Sequence, residues 1–336
     1  MISSRIEPVV IACAADGRYV MPLAVMIKSV LSNLDHDRKI WLYILDGGID
    51  KNDKKRLINS WDIDRLRADW MLVDQSRFSN MPLWGRMSVS TYHRLLMPEF
   101  LPKSLHKAIW LDCDMIVKGN LADLWDVDLK GHAALAVQDM VVPYVSSRYG
   151  IAPYQELGIS RNAKYFNAGV MVVNLDWWRQ NDVAGRAFVY LRKYGKTVYF
   201  WDQEALNVAL TGNWAELDPR WNQIASVSGR SFFPAAHLDS VTYRQVVSDP
   251  LVMHFAGSLK PWTYYNRSPS RSLYFQYLDM TVWAGWRPPW TLEAILLGIY
   301  ESQLRDFLYP VEKWVIRILR NRTLRKFRPM TRPRCQ

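Results

Sequence analysis

The chain has 336 residues, 49% of them hydrophobic and 22% charged, a balance that fits one large or two ordinary globular domains and excludes a disordered chain. Its net charge of +11 is unevenly spread: nine basic residues and no acid lie between Lys313 and the C-terminus, which leaves +2 for everything before them. Basicity is therefore a property of the tail, and no nucleic-acid partner is expected for the body.

Residues 8–15 are an apolar run stopped by Asp16-Gly17 and read as a buried first strand. The run is short for a signal-peptide core and Glu7-Pro8 interrupts its approach, so no leader is expected. Residues 22–34 carry Leu23, Met26, Ile27, Val30 and Leu31 at helical spacing. A second strand is predicted over 40–45, closed by Asp46-Gly47-Gly48, then a polar helix over 51–60 and a third strand over 70–73. Residues 89–101 are helical and deliver Arg94 to one side. A strand over 108–111 then ends in Asp112-Cys113-Asp114. A short helix at 121–125, a strand at 133–137 ending in Gln138-Asp139, and an irregular stretch over 140–164 follow. Such a long loop is usually functional. The sheet resumes over 166–175, with a helix over 176–192, another over 202–210 and an apolar run over 251–255. Repeated strand and helix alternation predicts an α/β fold with a mostly parallel sheet flanked by helices. From 268 onward the character changes to two amphipathic stretches, 290–308 and 311–319, separated by Pro310, and then the basic tail. A boundary is expected there, with a catalytic domain over 1–267 and a helical extension over 268–336. No run reaches the ~18 apolar residues of a spanning helix.

Among the Asp-x-Asp pairs of the chain, only Asp112 and Asp114 end an apolar run. Ligands of open α/β sheets bind beyond the carboxyl ends of strands, so that pair is placed for chemistry, whereas Asp62/Asp64 and Asp126/Asp128 read as solvated loops. His254 ends another apolar run, and two carboxylates with one imidazole suit a divalent ion such as Mn²⁺, with Mg²⁺ as the alternative. Gly257 permits close backbone approach and Lys260 offers a point charge, which together read as a diphosphate cradle beside a metal. Asp16 and Tyr19 suit a base, although Asp16-Gly17 is equally a plain turn. Arg94 suits a phosphate or an ion pair, and Asp139 suits hydroxyls. Asn167, in an apolar run, must have partners in a core network or a ligand. Asp202-Gln203-Glu204 is also an ordinary acidic helix start. The cysteines Cys13, Cys113 and Cys335 lack metal-ligand spacing and fit a reducing compartment.

These residues resemble the retaining sugar-nucleotide transferases of glycosyltransferase family 8, especially bacterial lipopolysaccharide galactosyl- and glucosyltransferases. Ile109-Trp110-Leu111-Asp112-Cys113-Asp114 is similar to the family's metal motif, and His254 through Trp262 to its His-x-x-Gly-x-x-Lys-Pro-Trp signature. Tyr165-Phe166-Asn167-Ala168-Gly169-Val170 resembles its central strand and Trp201 through Asn207 its late helix; Ala14-Ala15-Asp16-x-x-Tyr19 and Ser90-Thr91-Tyr92-x-Arg94 also fit. The resemblance implies a GT-A fold in which Asp112, Asp114 and His254 ligate Mn²⁺. It further implies that Asp16 and Tyr19 hold the uracil, Gly257 and Lys260 the diphosphate, and that Ser88, Arg94, Asp139, Asn167, Asp202 and Gln203 surround the hexose. Catalytic roles are expected for Gln203, Asp202 and Asp139. The chain departs from the galactosyl pattern at Arg86-Met87-Ser88, where His-x-Ser is usual, which leaves glucose and galactose both open.

The expected reaction is transfer of glucose or galactose from a UDP-hexose to a hydroxyl of a glycan or glycolipid acceptor. In the tail, an apolar stripe with Trp314 opposes Lys313, Arg317 and Arg320, as in a helix lying on an anionic membrane surface. A cytoplasmic protein, peripheral on the inner face of the cytoplasmic membrane, is expected. The competing classes are a non-enzymatic basic docking protein and a metal-dependent nucleotide phosphohydrolase.

Overall fold

The computed structural model describes residues 7–83, 88–225, 237–257, 260–263, 270–289, 291–292 and 296. The Arg86-Met87 departure, nearly all of the two amphipathic stretches and the basic tail lie outside the described residues.

In chain order the elements are β1 (Val9–Ala15), α1 (Val20–Asn33), β2 (Ile40–Asp46), α2 (Lys51–Ile58), β3 (Leu66–Leu72), α3 (His93–Phe100), β4 (Lys107–Leu111), β5 (Met115–Val117) and α4 (Leu121–Trp125). Then come β6 (Ala134–Gln138), β7 (Phe166–Asn174), α5 (Leu175–Gln180), α6 (Val183–Tyr194), α7 (Trp201–Ala209), β8 (Trp214–Glu216), β9 (Gln223–Ile224), α8 (Ser240–Ser248), β10 (Val252–His254) and α9 (Arg271–Leu278).

Seven strands form one sheet in the order β3-β2-β1-β4-β7-β6-β8. β1 pairs in parallel with β2 and with β4, so the two apolar runs end side by side. These strands are apolar throughout because helices cover both faces of a parallel sheet. β7 runs antiparallel to both β4 and β6, which turns the sheet from parallel to mixed at the site's edge. A second, three-stranded sheet, β5-β10-β9, is assembled from three separate parts of the chain.

Most bounds move by one or two residues, and three elements differ in kind or by more. β3 begins at Leu66, and its charged Arg67 and Asp69 belong to a sheet-edge strand, where charge blunts further pairing. The helix expected over 176–192 is two, α5 and α6, separated at Asp182, whose backbone is left-handed (φ 44°) and whose carboxylate accepts from Gly185 N at 3.1 Å. The helix expected over 89–101 starts as a 3-10 turn, Val89–Tyr92, and becomes α3.

The chain divides into two compact units, one of residues 1–258 with 268–286 and the other of residues 259–267 with 287–336. In the first unit α9 is tied to α1 by a 2.8 Å bond from Asn33 Nδ2 to Tyr277 Oη, and the turn beyond it places Trp283 against the Arg56 guanidinium. Within the second, Lys260 O accepts from Thr263 N at 3.0 Å.

Candidate active site and metal centre

The parallel pairing of β1 and β4 brings the Asp16 turn and the Asp112-Cys113-Asp114 segment together at the carboxyl end of the sheet. Asp112 N still donates to Gly169 O at 3.0 Å, which holds the first aspartate to β7. The chain then leaves the large sheet and enters the small one. There His254 is in register with Met115, Phe255 N donates to Asp114 O at 2.9 Å, and Ala225 N donates to His254 O at 2.8 Å. The small sheet thus brings an imidazole 140 residues downstream of Asp114 to the aspartate pair. His254 Nε2 is 3.8 Å from Asp112 Oδ2 and 3.4 Å from Asp114 Oδ1, and one ligand atom from each of the three lies within 4.8 Å of the others. Two hard oxygens and one borderline nitrogen, converging from half-buried or buried side chains, fit a divalent cation.

Asp112 is oriented by groups behind it. Asp112 Oδ1 accepts from Trp110 Nε1 at 2.9 Å and from Arg94 Nη2 at 2.8 Å, so Oδ2 is the atom turned to the cluster. Arg94 is buried, donates from Nη1 to Ala168 O at 2.5 Å, and sets Nε 2.6 Å from Asp202 Oδ2. Its guanidinium therefore joins a cluster aspartate to the first turn of α7. Burial opposes the Arg94 charge, but the facing carboxylates of Asp112 and Asp202 outweigh it and leave the pKa raised. Burial pushes the Asp202 carboxyl up to about 6, against the pull of Arg94 and of the Thr91 hydroxyl, which donates to Oδ1. Gly169 makes room for the imidazole: a Cβ there would lie 2.5 Å from His254 Cε1.

A second group of polar side chains runs from His254 into β6 and α7. His254 Nδ1 is 2.9 Å from Asn222 Oδ1, Asn222 Nδ2 donates to Asn167 Oδ1 at 2.9 Å, and Asn167 Nδ2 donates to Asp139 Oδ2 at 2.9 Å. Asp139 Oδ2 also accepts from Gln203 Nε2 at 3.2 Å, while Oδ1 takes Val141 N and Val142 N at 2.7 and 2.8 Å. Gln203 Oε1 accepts from Ala168 N at 3.1 Å. The sequence-predicted Asp139, Asn167, Asp202, Gln203 and Arg94 therefore meet around one stretch of β7, Asn167 to Gly169.

A model of glycosyl transferase family 8 matches residues 10–266. The chain belongs to that family. As a glycosyltransferase it is similar to General stress protein A of Bacillus subtilis strain 168, 28% identical over 82% of this chain and 94% of that protein. It is also similar to a lipopolysaccharide 1,2-glucosyltransferase of Escherichia coli K12, 24% identical over 81% of this chain and 78% of that one. Among solved structures, the galactosyltransferase LgtC in complex with donor and acceptor sugar analogs superposes with a TM-score of 0.70 at 26% identity, covering 81% of this chain and 96% of LgtC. The mostly parallel sheet flanked by helices is thus the GT-A-type fold that the sequence led us to expect.

At the other end of this glycosyltransferase site, Asp16 Oδ1 accepts from Arg18 N and Oδ2 pairs with Arg18 Nη2, both at 3.0 Å. Burial raises the Asp16 pKa, but hydrogen bonds from Ser88 and Arg18 overcome it and leave the carboxyl below its usual range. Ser88 is thereby joined to the end of β1. Tyr19 lies close enough to the cluster that, after burial, the charges of Asp114, Cys113 and Asp112 raise its pKa. Gly257, three residues past His254, has φ +87°, a backbone that side chains with a Cβ rarely adopt, and open space where a Cβ would stand. Lys260 belongs to the second unit. Cys13 and Cys113 are buried free thiols.

Sequence reasoning missed four contributors. Trp110 reads as one more apolar strand residue, yet its indole holds Asp112. Thr91 and Gly169 were quoted only as parts of motifs. Asn222 follows Trp221 in a stretch with neither helical nor strand periodicity, and its one signal is a buried amide, legible only once the fold is known.

Proposed function

We propose that the protein is an Mn²⁺-dependent retaining hexosyltransferase that moves glucose or galactose from UDP to a hydroxyl of a glycan or glycolipid acceptor, such as lipopolysaccharide. The observation that carries this reading is the convergence of Asp112, Asp114 and His254 within 4.8 Å at the carboxyl end of a family 8 sheet. Asp112 Oδ2, Asp114 Oδ1 and His254 Nε2 would hold the ion. When bound, it supplies positive charge against the departing diphosphate.

The remaining steps fall to the chain's own groups. Asp16 accepts a hydrogen bond from the uracil and Tyr19 packs on it; Gly257 admits a phosphate to the backbone and Lys260 neutralises it. Ser88, Arg94, Asp139, Asn167, Asp202 and Gln203 form the hexose side. The acceptor hydroxyl attacks the anomeric carbon from the leaving-group face as the bond to the UDP oxygen breaks, and that oxygen takes the hydroxyl proton. Gln203 and Asp202 support the cationic centre. The alternative is a covalent intermediate on Asp202 or Glu204, and it is disfavoured at Glu204, whose oxygens accept from Tyr190 Oη at 2.6 Å and Tyr199 N at 2.8 Å inside the protein.

The basic segment from Lys313 onward is assigned to an anionic membrane surface, which places the enzyme on the inner face of the cytoplasmic membrane beside lipid-linked acceptors. Among the described residues no helix is long and apolar enough to cross a membrane. The test is a thermal-shift screen of UDP-glucose, UDP-galactose and their N-acetyl forms with and without Mn²⁺. Stabilisation by one hexose donor only when Mn²⁺ is present supports the reading. Release of inorganic phosphate in place of UDP identifies a phosphohydrolase and refutes it. Deletion from Pro310 onward is expected to abolish binding to anionic vesicles while UDP release continues.

A further inference from the structure

Resting on the metal reading above, we infer that Asn222 is a positioning residue for the cation site: it fixes which nitrogen of His254 carries the proton, and so leaves Nε2 bare to face Asp112 and Asp114. The orientation of every amide in the line follows from one unambiguous donor. Gly169 N, a backbone group that can only donate, lies 2.9 Å from Asn167 Oδ1, so that end of Asn167 is its carbonyl. Its other end is then Nδ2, and it faces Asp139 Oδ2 at 2.9 Å, a carboxylate that can accept. Because Asn167 Oδ1 also meets Asn222 at 2.9 Å, the Asn222 atom there must be Nδ2. That turns Asn222 Oδ1 toward His254 Nδ1 at 2.9 Å, and an acceptor on that side requires the proton on Nδ1. In the neutral ring Nε2 is then an unprotonated lone pair, and it is the atom 3.4 and 3.8 Å from the two aspartates. Ligating histidines depend on such a partner at the far nitrogen, and its loss typically weakens metal binding 10- to 100-fold.

Position supports the same conclusion. Asn222 is 1% exposed and His254 4%, so no solvent competes for either hydrogen bond. Asn222 directly precedes β9, and β9 pairs with β10 with His254 in register with Ile224, so the strand that carries the ligand is paired to the strand its partner leads into. The line ends on Asp139, which also holds Gln203, giving the imidazole tautomer and the Gln203 amide one shared anchor.

The test uses the full-length chain, with Mn²⁺ alone as the probe, its affinity measured by calorimetry and by the EPR signal of the free ion. Asn222→Leu removes both amide functions at similar volume; Asn222→Asp keeps an acceptor toward His254 and loses the donor to Asn167. The expected result is a loss of at least about tenfold in Mn²⁺ affinity for Asn222→Leu, with Asn222→Asp staying within a few-fold of the parent. Unchanged affinity in Asn222→Leu, or equal losses in both variants, would overturn the assignment. A second measurement needs no bound metal and no substitution at Asn222: ¹⁵N NMR of the histidine-labelled parent chain, with His254 identified by the signal missing from His254→Ala. A neutral ring protonated at Nδ1 supports the inference and one protonated at Nε2 refutes it. If the parent chain binds no Mn²⁺, the metal reading fails, and the tautomer still decides the role of Asn222.

Discussion

The same spelling, Asp-x-Asp, appears at residues 62–64, 112–114 and 126–128 among others, and these three places have little else in common. Asp62 and Asp64 are exposed and Asp62 spends its carboxylate on Asp64 N at 3.1 Å, an ordinary turn. Asp126 and Asp128 are also exposed; one pairs with Arg38 and the other accepts from Lys130 N at 2.9 Å. Only Asp112 and Asp114 sit at the end of an interior strand, with an indole and a guanidinium behind the first and an imidazole in front of both. A carboxylate's chemistry is set by what its surroundings force it to face, since water satisfies an exposed one completely.

The contrast is broken most severely at the cluster itself. Asp112→Asn, Asp114→Asn and His254→Ala are each expected to lower Mn²⁺-dependent transfer by on the order of a hundred- to a thousandfold. They should also abolish the rise in melting temperature that Mn²⁺ produces, measured in parallel by scanning fluorimetry. Next in size comes Arg94→Met, which strips the shared cation from Asp112 and from the buried Asp202. Urea denaturation should show a loss of roughly 3–5 kcal/mol, as for other buried pairs reduced to one partner.

Glu204 extends the comparison to a buried acid with no cation facing it among the described residues. Burial pushes its carboxyl up to about 7, against hydrogen bonds from Tyr190, Tyr199 and Phe200. A carboxyl raised in the folded state stays protonated there over a range in which the unfolded chain has already ionised. Its presence therefore costs stability as pH rises from the ordinary glutamate range toward 7, by roughly 3 kcal/mol in all. Glu204→Gln should flatten that part of the stability-versus-pH curve, and an unchanged slope would show that Glu204 is not its source. Gly169→Ala is a smaller disturbance. Overpacking against His254 should cost about 1–3 kcal/mol and weaken Mn²⁺ binding while leaving Asp62 and Asp126 untouched. At the bottom of the scale, Asp62→Asn and Asp126→Asn should stay within about 0.5 kcal/mol of the parent and keep full activity.

Much of this was legible in the residues because the parallel half of the sheet is built from uninterrupted apolar strands. β1, β2 and β4 announce themselves by composition, and their polar ends, Asp16, Asp46 and Asp112, mark the carboxyl edge of the sheet. Where an element lies at the surface the signal fades: β3 alternates charge with bulk, and α5 and α6 share one apolar pattern although Asp182 parts them. Within the site, the aspartate pair and His254 could be read from their places at strand ends. Trp110 and Asn222 could not, because a tryptophan in an apolar run and an amide in a loop look alike whether or not they hold a ligand. Asn222 acts on partners 32 and 55 residues away, and the bond from Trp110 to Asp112 matters only once β10 brings His254 to that aspartate, so no local pattern encodes either role.

The small sheet ties the order of synthesis to competence. Every strand of the large sheet has left the ribosome once Glu216 has emerged, so the scaffold can assemble early. The cluster must wait for β9 and then for β10, whose final residue is its nitrogen donor. A nascent chain is therefore able to fold its scaffold well before it can retain a divalent ion, and a fragment that stops short of residue 254 would be a well-formed but metal-deaf protein.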